Sequence, residues 1–159
     1  MDMNKVRHLR SPPCFGLAGT GTVAQDMLVR AEQNKELAKS DNVSFVESRI
    51  TQVALPDATA DCIISNCVVN LVPEGQKQLV FNEMFRLLKP GGRVAISDIL
   101  TREDLPEELK CNLALYVGCI AGASQVKEYE QYLRMAGFDS EYSSLPYHLG
   151  TIPFVWAVF

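Results

Sequence analysis

Residues 61–100 read DCIISNCVVNLVPEGQKQLVFNEMFRLLKPGGRVAISDIL. Asp61–Ser65 is a short apolar run that follows the turn-forming LPDATA, which predicts a strand. Residues 73–89 are rich in helix formers, and Leu79, Met84, Leu87 and Leu88 form the stripe expected to face inward. Pro90, Gly91 and Gly92 stop that helix. RVAISDIL at 93–100 predicts the next strand. Strand, helix and strand in this order argue for a parallel sheet with helices on its faces. In such sheets ligands bind beyond the carboxyl ends of the strands. Asn66 and Cys67 follow one such end, and Ser97 and Asp98 mark another. Cys67 is therefore expected at a ligand crevice, although spacing alone suits a small apolar filler at a strand end as well.

The pattern extends in both directions from this stretch. Residues 1–13 form a loose segment ending at Pro12-Pro13, and 14–159 are expected to form one partial domain. CFGLAGTG (14–21) is a short apolar piece running into glycines. TVAQDMLVRAEQNKELAK (22–39) predicts a helix with Val23, Met27, Leu28, Ala31 and Leu37 along one side. NVSFVES (42–48) predicts a strand. A helical region is expected from about Pro106 to Ile120, and SQVKEYEQYLRMAGF (124–138) predicts a helix closed by Gly137. The tail TIPFVWAVF (151–159) is apolar and β-prone; it is expected to dock as a strand, with Pro153 favouring an edge. The fold class is α/β, a shortened doubly wound, mostly parallel sheet.

Composition narrows the function. The net charge is −4 and no basic stripe is present, which argues against nucleic acid as a partner. The apolar share of 47% is enough for a folded core and argues against disorder. No apolar run approaches the roughly 20 residues of a membrane helix. The N-terminus lacks the apolar core of a signal peptide, so a cytoplasmic setting and reduced thiols are expected. The five cysteines include no CxxC pair, and only His8 and His148 could assist them. A structural zinc site is not expected.

The order strand, Asn-Cys, helix, LKPGG, strand, Ser-Asp resembles the second half of class I methyltransferases, which use S-adenosylmethionine. A finer resemblance rests on residues 48–100, SRITQVALPDATADCIISNCVVNLVPEGQKQLVFNEMFRLLKPGGRVAISDIL, followed by ALYVGCIAGA at 114–123. Together these resemble the arsenite methyltransferases over about Gln25–Phe138, in wording closest to their fungal members. LKPGG is common to many methyltransferases; NCVVNL together with GCIAGA is the specific part. The resemblance implies methyl transfer from S-adenosylmethionine to trivalent arsenic, and so arsenic detoxification. It implies Cys67 and Cys119 as arsenic ligands and catalytic residues, Asn66 as a cofactor contact, and Ile50 of SRIT near the adenine. The substrate would be arsenite or its thiol conjugates. The chemistry agrees, because trivalent arsenic is soft and thiolates are soft ligands. Holding its lone pair in line with a methyl group is a positioning task.

Other residues read more plainly. Cys119 lies in a run of small residues that also suits a close helix contact. Cys62 alternates with Ile64 and is expected in the core. Cys111 stands two helical turns before Cys119, outside the family pattern, and Cys14 has only its thiol to recommend it. Asp98 reads as the end of a strand rather than a base, since methylating a lone pair requires no acid–base pair.

The first half departs from the family. There a strand, a glycine loop, a helix and a second strand ending in an acid hold the cofactor. Here GTGTVAQDMLVRAEQ passes from glycines directly into a helix. The chain is expected to be truncated at both ends relative to the family, with cofactor binding impaired. One reading keeps NVSFVES in its family role and leaves the sheet short of central strands. Another makes CFGLAGTG the first strand and glycine loop, and Val23–Lys39 the crossover helix. NVSFVES is then the adjacent strand, and Glu47, 26 residues after Gly21, is the ribose acid. Two other functions remain open: a non-catalytic arsenic-binding or partner-binding remnant, and a methyltransferase for another small molecule.

Overall fold

The computed structural model describes residues 14–18, 22–106, 120–139, 143–149 and 152–158; residues 14–18, 22–25, 143–149 and 152–158 are described by their backbone. The expected helical region at 106–120 lies almost wholly outside these residues, as do Cys111, Cys119 and the segment 1–13. The chain divides into two compact units, Met1–Ala54 and Leu55–Phe159.

In the first unit, β1 (Cys14–Ala18) leads into α1 (Thr22–Ala38) and then β2 (Val43–Glu47). β1 and β2 are parallel and in unbroken register, from Cys14↔Val43 to Ala18↔Glu47. This is the pairing required if CFGLAGTG is a first strand and α1 the crossover helix. The expected stripe on α1 is corrected in part. Leu28 and Ala31 are half-buried, but Met27 and Leu37 are exposed. Leu37 follows Leu28 by nine residues, about two and a half helical turns, and so points the opposite way.

In the second unit, β3 (Ala60–Asn66) is followed by a 3-10 turn (Val69–Leu71), α2 (Glu74–Leu87) and β4 (Leu88–Thr101). Then come α3 (Val126–Ala136), β5 (Ser143–Leu149) and β6 (Ile152–Val158). The sheet order is β3-β4-β6-β5. β3 and β4 are parallel, while β6 runs antiparallel to both of its neighbours. α2 ends at Leu87 because Lys89 precedes Pro90, and the residue before proline is driven from helical backbone. Gly91 then takes φ +78°, a conformation that suits glycine. The register steps from Ala60↔Leu88 to Cys62↔Arg93, so the Pro-Gly-Gly turn is absorbed as an irregularity of β4.

The core of this unit lies between the sheet and the two helices. Val80, Phe81, Met84 and Leu87 of α2, with Tyr129 and Leu133 of α3, are buried, as are Ile96 and Leu100 of β4. Phe81 meets Tyr129 edge to face, with centroids 4.9 Å apart, an arrangement that adds to plain area burial. Leu79, expected inside, is 49% exposed. The inward line runs through residues 77, 80, 81, 84 and 87, so Lys77 takes the buried place at that end of the helix.

Two further expectations are corrected. Cys62 is exposed and Ile64 is 80% exposed. Side chains alternate across a strand, and the parallel register sets Ile63 and Ser65 beside Val94 and Ile96 on the helix-covered face. Cys62, Ile64 and Asn66 therefore take the opposite face. The tail docks as expected, but β6 is an inner strand and β5 is the edge. Pro153 is tolerated there because β4 pairs only as far as Thr101↔Phe154. Beyond that point β6 has a neighbour on one side alone, through His148↔Pro153, so a missing N–H costs little.

Candidate functional site

The parallel pair β3–β4 ends at Asn66↔Ser97. Asn66 is the last residue of β3 and is exposed. Cys67 comes next, half-buried, with φ +53°. Left-handed backbone costs an ordinary L-residue roughly 1–2 kcal/mol, and such strain persists where the surroundings over-determine it. Here two residues of β4 hold the turn by their backbone carbonyls. The Cys67 N–H donates to the Ser97 carbonyl at 2.9 Å. The Asn70 side-chain amide donates to the Ile99 carbonyl at 2.7 Å. Between them stands Asp98.

Asp98 was expected at a strand end. It lies inside β4, on the helix-covered face, and is 1% exposed. The Tyr129 hydroxyl donates to its Oδ2 at 2.9 Å. Burial pushes its pKa above the usual carboxylate value, while Tyr129, the backbone N–H groups of Cys67 and Asn70, and the nearby Lys77 ammonium pull it down. Oδ1 has no hydrogen-bond partner among the described residues. Tyr129 is raised well above its ordinary value by burial first, then by Asp98, with a smaller contribution from Cys67.

Lys77 closes the arrangement. Its ammonium is buried and donates to Glu74 Oε2 at 2.7 Å, to the Gly122 carbonyl at 2.7 Å and to Ser124 Oγ at 2.6 Å. All three of its donors are used, which is what a buried ammonium requires. It ties α2 to the segment Ile120–Ser124, and the Thr101 N–H binds the Ser124 carbonyl at 3.0 Å. A Cβ on Gly122 would come within 2.0 Å of the Asn70 carbonyl. Only glycine lets this segment lie against the 3-10 turn that follows Cys67.

The structure therefore brings Asn66 and Cys67 together with Ser97, Asp98, Asn70 and Tyr129. Ile50 belongs to the first unit. It is half-buried in the turn closed by Arg49 and Gln52 and braced by the Ala54 N–H to Ser48 Oγ bond at 3.0 Å. Glu47, at the end of β2, is exposed and in register with Ala18. Cys119 lies outside the described residues. No cluster of three or more metal-ligating side chains occurs among the described residues, and no described helix is long and apolar enough to cross a membrane.

Sequence reasoning missed Lys77 and the Asp98–Tyr129 pair. A lysine at the start of a buried helical stripe was a signal for the first. The second had only the alternation of Ile96, Asp98 and Leu100.

The raised pKa of Asp98 has a consequence for stability. A carboxyl whose folded-state pKa exceeds its unfolded value binds more protons when folded, so stability falls as pH rises from the ordinary value through the raised one. Asp98→Asn is expected to flatten this slope and to leave the protein at least as stable at neutral pH. Thermal melts of both proteins across the acidic range check it.

The methyltransferase domain family matches residues 23–137. The arsenite methyltransferase of Halobacterium salinarum is 39% identical over 115 residues, covering 72% of this chain and 29% of that protein. The arsenite methyltransferase of Aquipseudomonas alcaligenes is 41% identical over 100 residues, covering 61% of this chain and 28% of its own length. The chain thus spans under a third of the length of these relatives. A crystal structure of an arsenic(III) S-adenosylmethionine methyltransferase from Chlamydomonas reinhardtii aligns with a TM-score of 0.69 at 25% identity, over 91% of this chain and 53% of that one.

Proposed function

The chain belongs to the methyltransferase domain family, and we propose that it transfers a methyl group from S-adenosylmethionine to trivalent arsenic, with Cys67 and Cys119 as the arsenic ligands. The observation that carries this reading is Cys67 itself. A thiol is held in strained, left-handed backbone at the carboxyl end of a parallel strand pair, where ligands bind in sheets of this kind. Lys39 and Ala58 take the same backbone conformation; what sets Cys67 apart is its thiol at the end of the strand pair. The named activity of the similar proteins supports the same substrate. For Cys119 the support is the family motif GCIAGA and the clamping of the following segment by Lys77 and Gly122.

When arsenite is taken up, each thiol proton leaves with an arsenic hydroxyl as water, and an As–S bond forms. The arsenic lone pair is retained, and the two thiolates fix its direction. The bound cofactor would supply an electrophilic methyl group on a sulfonium. The first unit suits such a group: a parallel βαβ arrangement with an exposed carboxylate, Glu47, at the end of its second strand. Glu47 is proposed to bind the ribose hydroxyls, Ile50 to contact the adenine, and Asn66 to contact the cofactor. Neither arsenic ligation nor the direction of the lone pair requires a general base. The reaction needs reduced thiols, and we place it in the cytoplasm; we propose further that the chain is a fungal-type member of the family. The partners are small molecules, not nucleic acid.

Cofactor binding to the folded chain should raise its melting temperature, because a ligand at a hundred times its Kd adds about 2.7 kcal/mol. A rise of several degrees with S-adenosylmethionine is expected, and Glu47→Ala should remove most of it. No rise at millimolar cofactor would favour the arsenic-binding remnant over the enzyme.

A further inference from the structure

We propose that Lys77 is a positioning residue for arsenic binding: its buried ammonium holds the 120–124 segment, which continues directly from Cys119 in the chain, against the 3-10 turn that follows Cys67. The proposal rests on the reading of Cys67 and Cys119 as arsenic ligands.

Direct hydrogen bonds and one close backbone approach carry it. Lys77 is 1% exposed and stands on the inward line of α2 with Val80, Phe81, Met84 and Leu87. An apolar residue there would simply extend that line, and replacing a buried charge by an apolar group of similar size is often neutral or stabilising. Lysine instead directs two of its three donors at one segment distant in sequence, to the Gly122 carbonyl at 2.7 Å and Ser124 Oγ at 2.6 Å. The third goes to Glu74 on its own helix, at 2.7 Å. The same segment also lies on the Cys67 turn, where a Cβ on Gly122 would meet the Asn70 carbonyl at 2.0 Å. Asn70 is fixed in turn by its amide on the Ile99 carbonyl at 2.7 Å. Past Gly122 the segment is tied to β4, because the Thr101 N–H donates to the Ser124 carbonyl at 3.0 Å. Cys67 immediately precedes the turn, and Cys119 immediately precedes the segment. When two thiols share one arsenic, the second binds at an effective concentration set by how closely their chain segments are held. Lys77 fixes that closeness from α2. Residues that support a ligand in this way typically change affinity 10–100-fold when removed.

The test uses the full chain and reads each cysteine by mass spectrometry after timed alkylation with iodoacetamide, with increasing arsenite. Exposed Cys62 is the internal control. Lys77→Met keeps the length of the side chain and removes its donors. The arsenite concentration that half-protects Cys67 is expected to rise about tenfold or more, with a melting temperature within a few degrees of the starting protein. In a Cys119→Ser background the same substitution is expected to move that midpoint by less than about threefold, since the second thiol is already gone. An unchanged midpoint in a folded Lys77→Met protein overturns the proposal. An equal rise in both backgrounds also overturns it, because Lys77 would then act on Cys67 alone or on the fold as a whole. Hydrogen exchange reads the contact itself without arsenite. Amides of residues 121–125 should exchange faster in Lys77→Met while those of β3 keep their rate, and unchanged exchange at 121–125 overturns the proposal. If arsenite protects Cys67 as well in Cys119→Ser as in the starting protein, the two-thiol reading falls separately, and the exchange alone decides whether Lys77 holds the segment. If Lys77→Met does not fold, Ser124→Ala carries both measurements: a raised midpoint with faster exchange supports the proposal, and an unchanged value of either overturns it.

Discussion

Deleting residues 151–159 is expected to abolish cooperative folding of the C-terminal unit. β6 is the inner strand between β4 and β5, with five register pairs on one side and seven on the other. Without it β5 has no neighbour and β4 presents an open edge, which invites aggregation. Even at about 0.5 kcal/mol net per ladder hydrogen bond, the loss approaches the roughly 5–15 kcal/mol that stabilises a whole domain. The helices would not compensate, because α2 and α3 bury their apolar faces against that sheet. Circular dichroism during a thermal melt reads the outcome. A sloping, non-cooperative curve and poor solubility are expected. A sharp transition within a few degrees of the intact chain would show that the sheet does not depend on β6.

The second large effect concerns Cys67. Cys67→Ser replaces a soft ligand by a hard one, and arsenite affinity should fall by more than the roughly 10–100-fold that a supporting residue commands. Cys67→Gly sharpens the argument. Glycine accepts φ +53° without strain, so this variant should lose arsenite binding while keeping, or slightly raising, its melting temperature. Calorimetric titration with arsenite alongside thermal melts separates the two quantities. Arsenite affinity within threefold of the starting protein in Cys67→Gly would remove Cys67 from the site.

Much of this fold was legible in local pattern. The strand, helix, LKPGG and strand of residues 61–100 each obey a rule that spans a few residues, and so does the helix that Gly137 closes. What was not legible depends on contacts distant in sequence. Lys77 is buried because Gly122 and Ser124, 45 and 47 residues away, satisfy it. Leu79 is exposed for the same reason, since the helix turned to bury Lys77. Cys62 and Ile64 look like core by alternation, but alternation gives two faces and does not say which one the helices cover. Asp98 meets Tyr129 across 31 residues, and nothing local announces it. The candidate site follows the same division: Asn66 and Cys67 were placed by the end of a strand, while the residues that hold Cys67 in position emerged only from packing. The parallel pairing of β1 with β2 agrees with CFGLAGTG as a first strand, while β3 stands at the edge of its own sheet among the described strands, as the reading with missing central strands expects.

The most direct test of methyl transfer to arsenic follows the methyl group itself. The full chain is incubated with arsenite, a thiol reductant and S-adenosylmethionine labelled on its methyl carbon, and the arsenic species are separated and counted. The label is expected in a methylated arsenical with the starting protein, and absent from it with Cys67→Ser. No labelled arsenical from a folded chain that binds the cofactor, or the same yield from Cys67→Ser, would contradict the assignment.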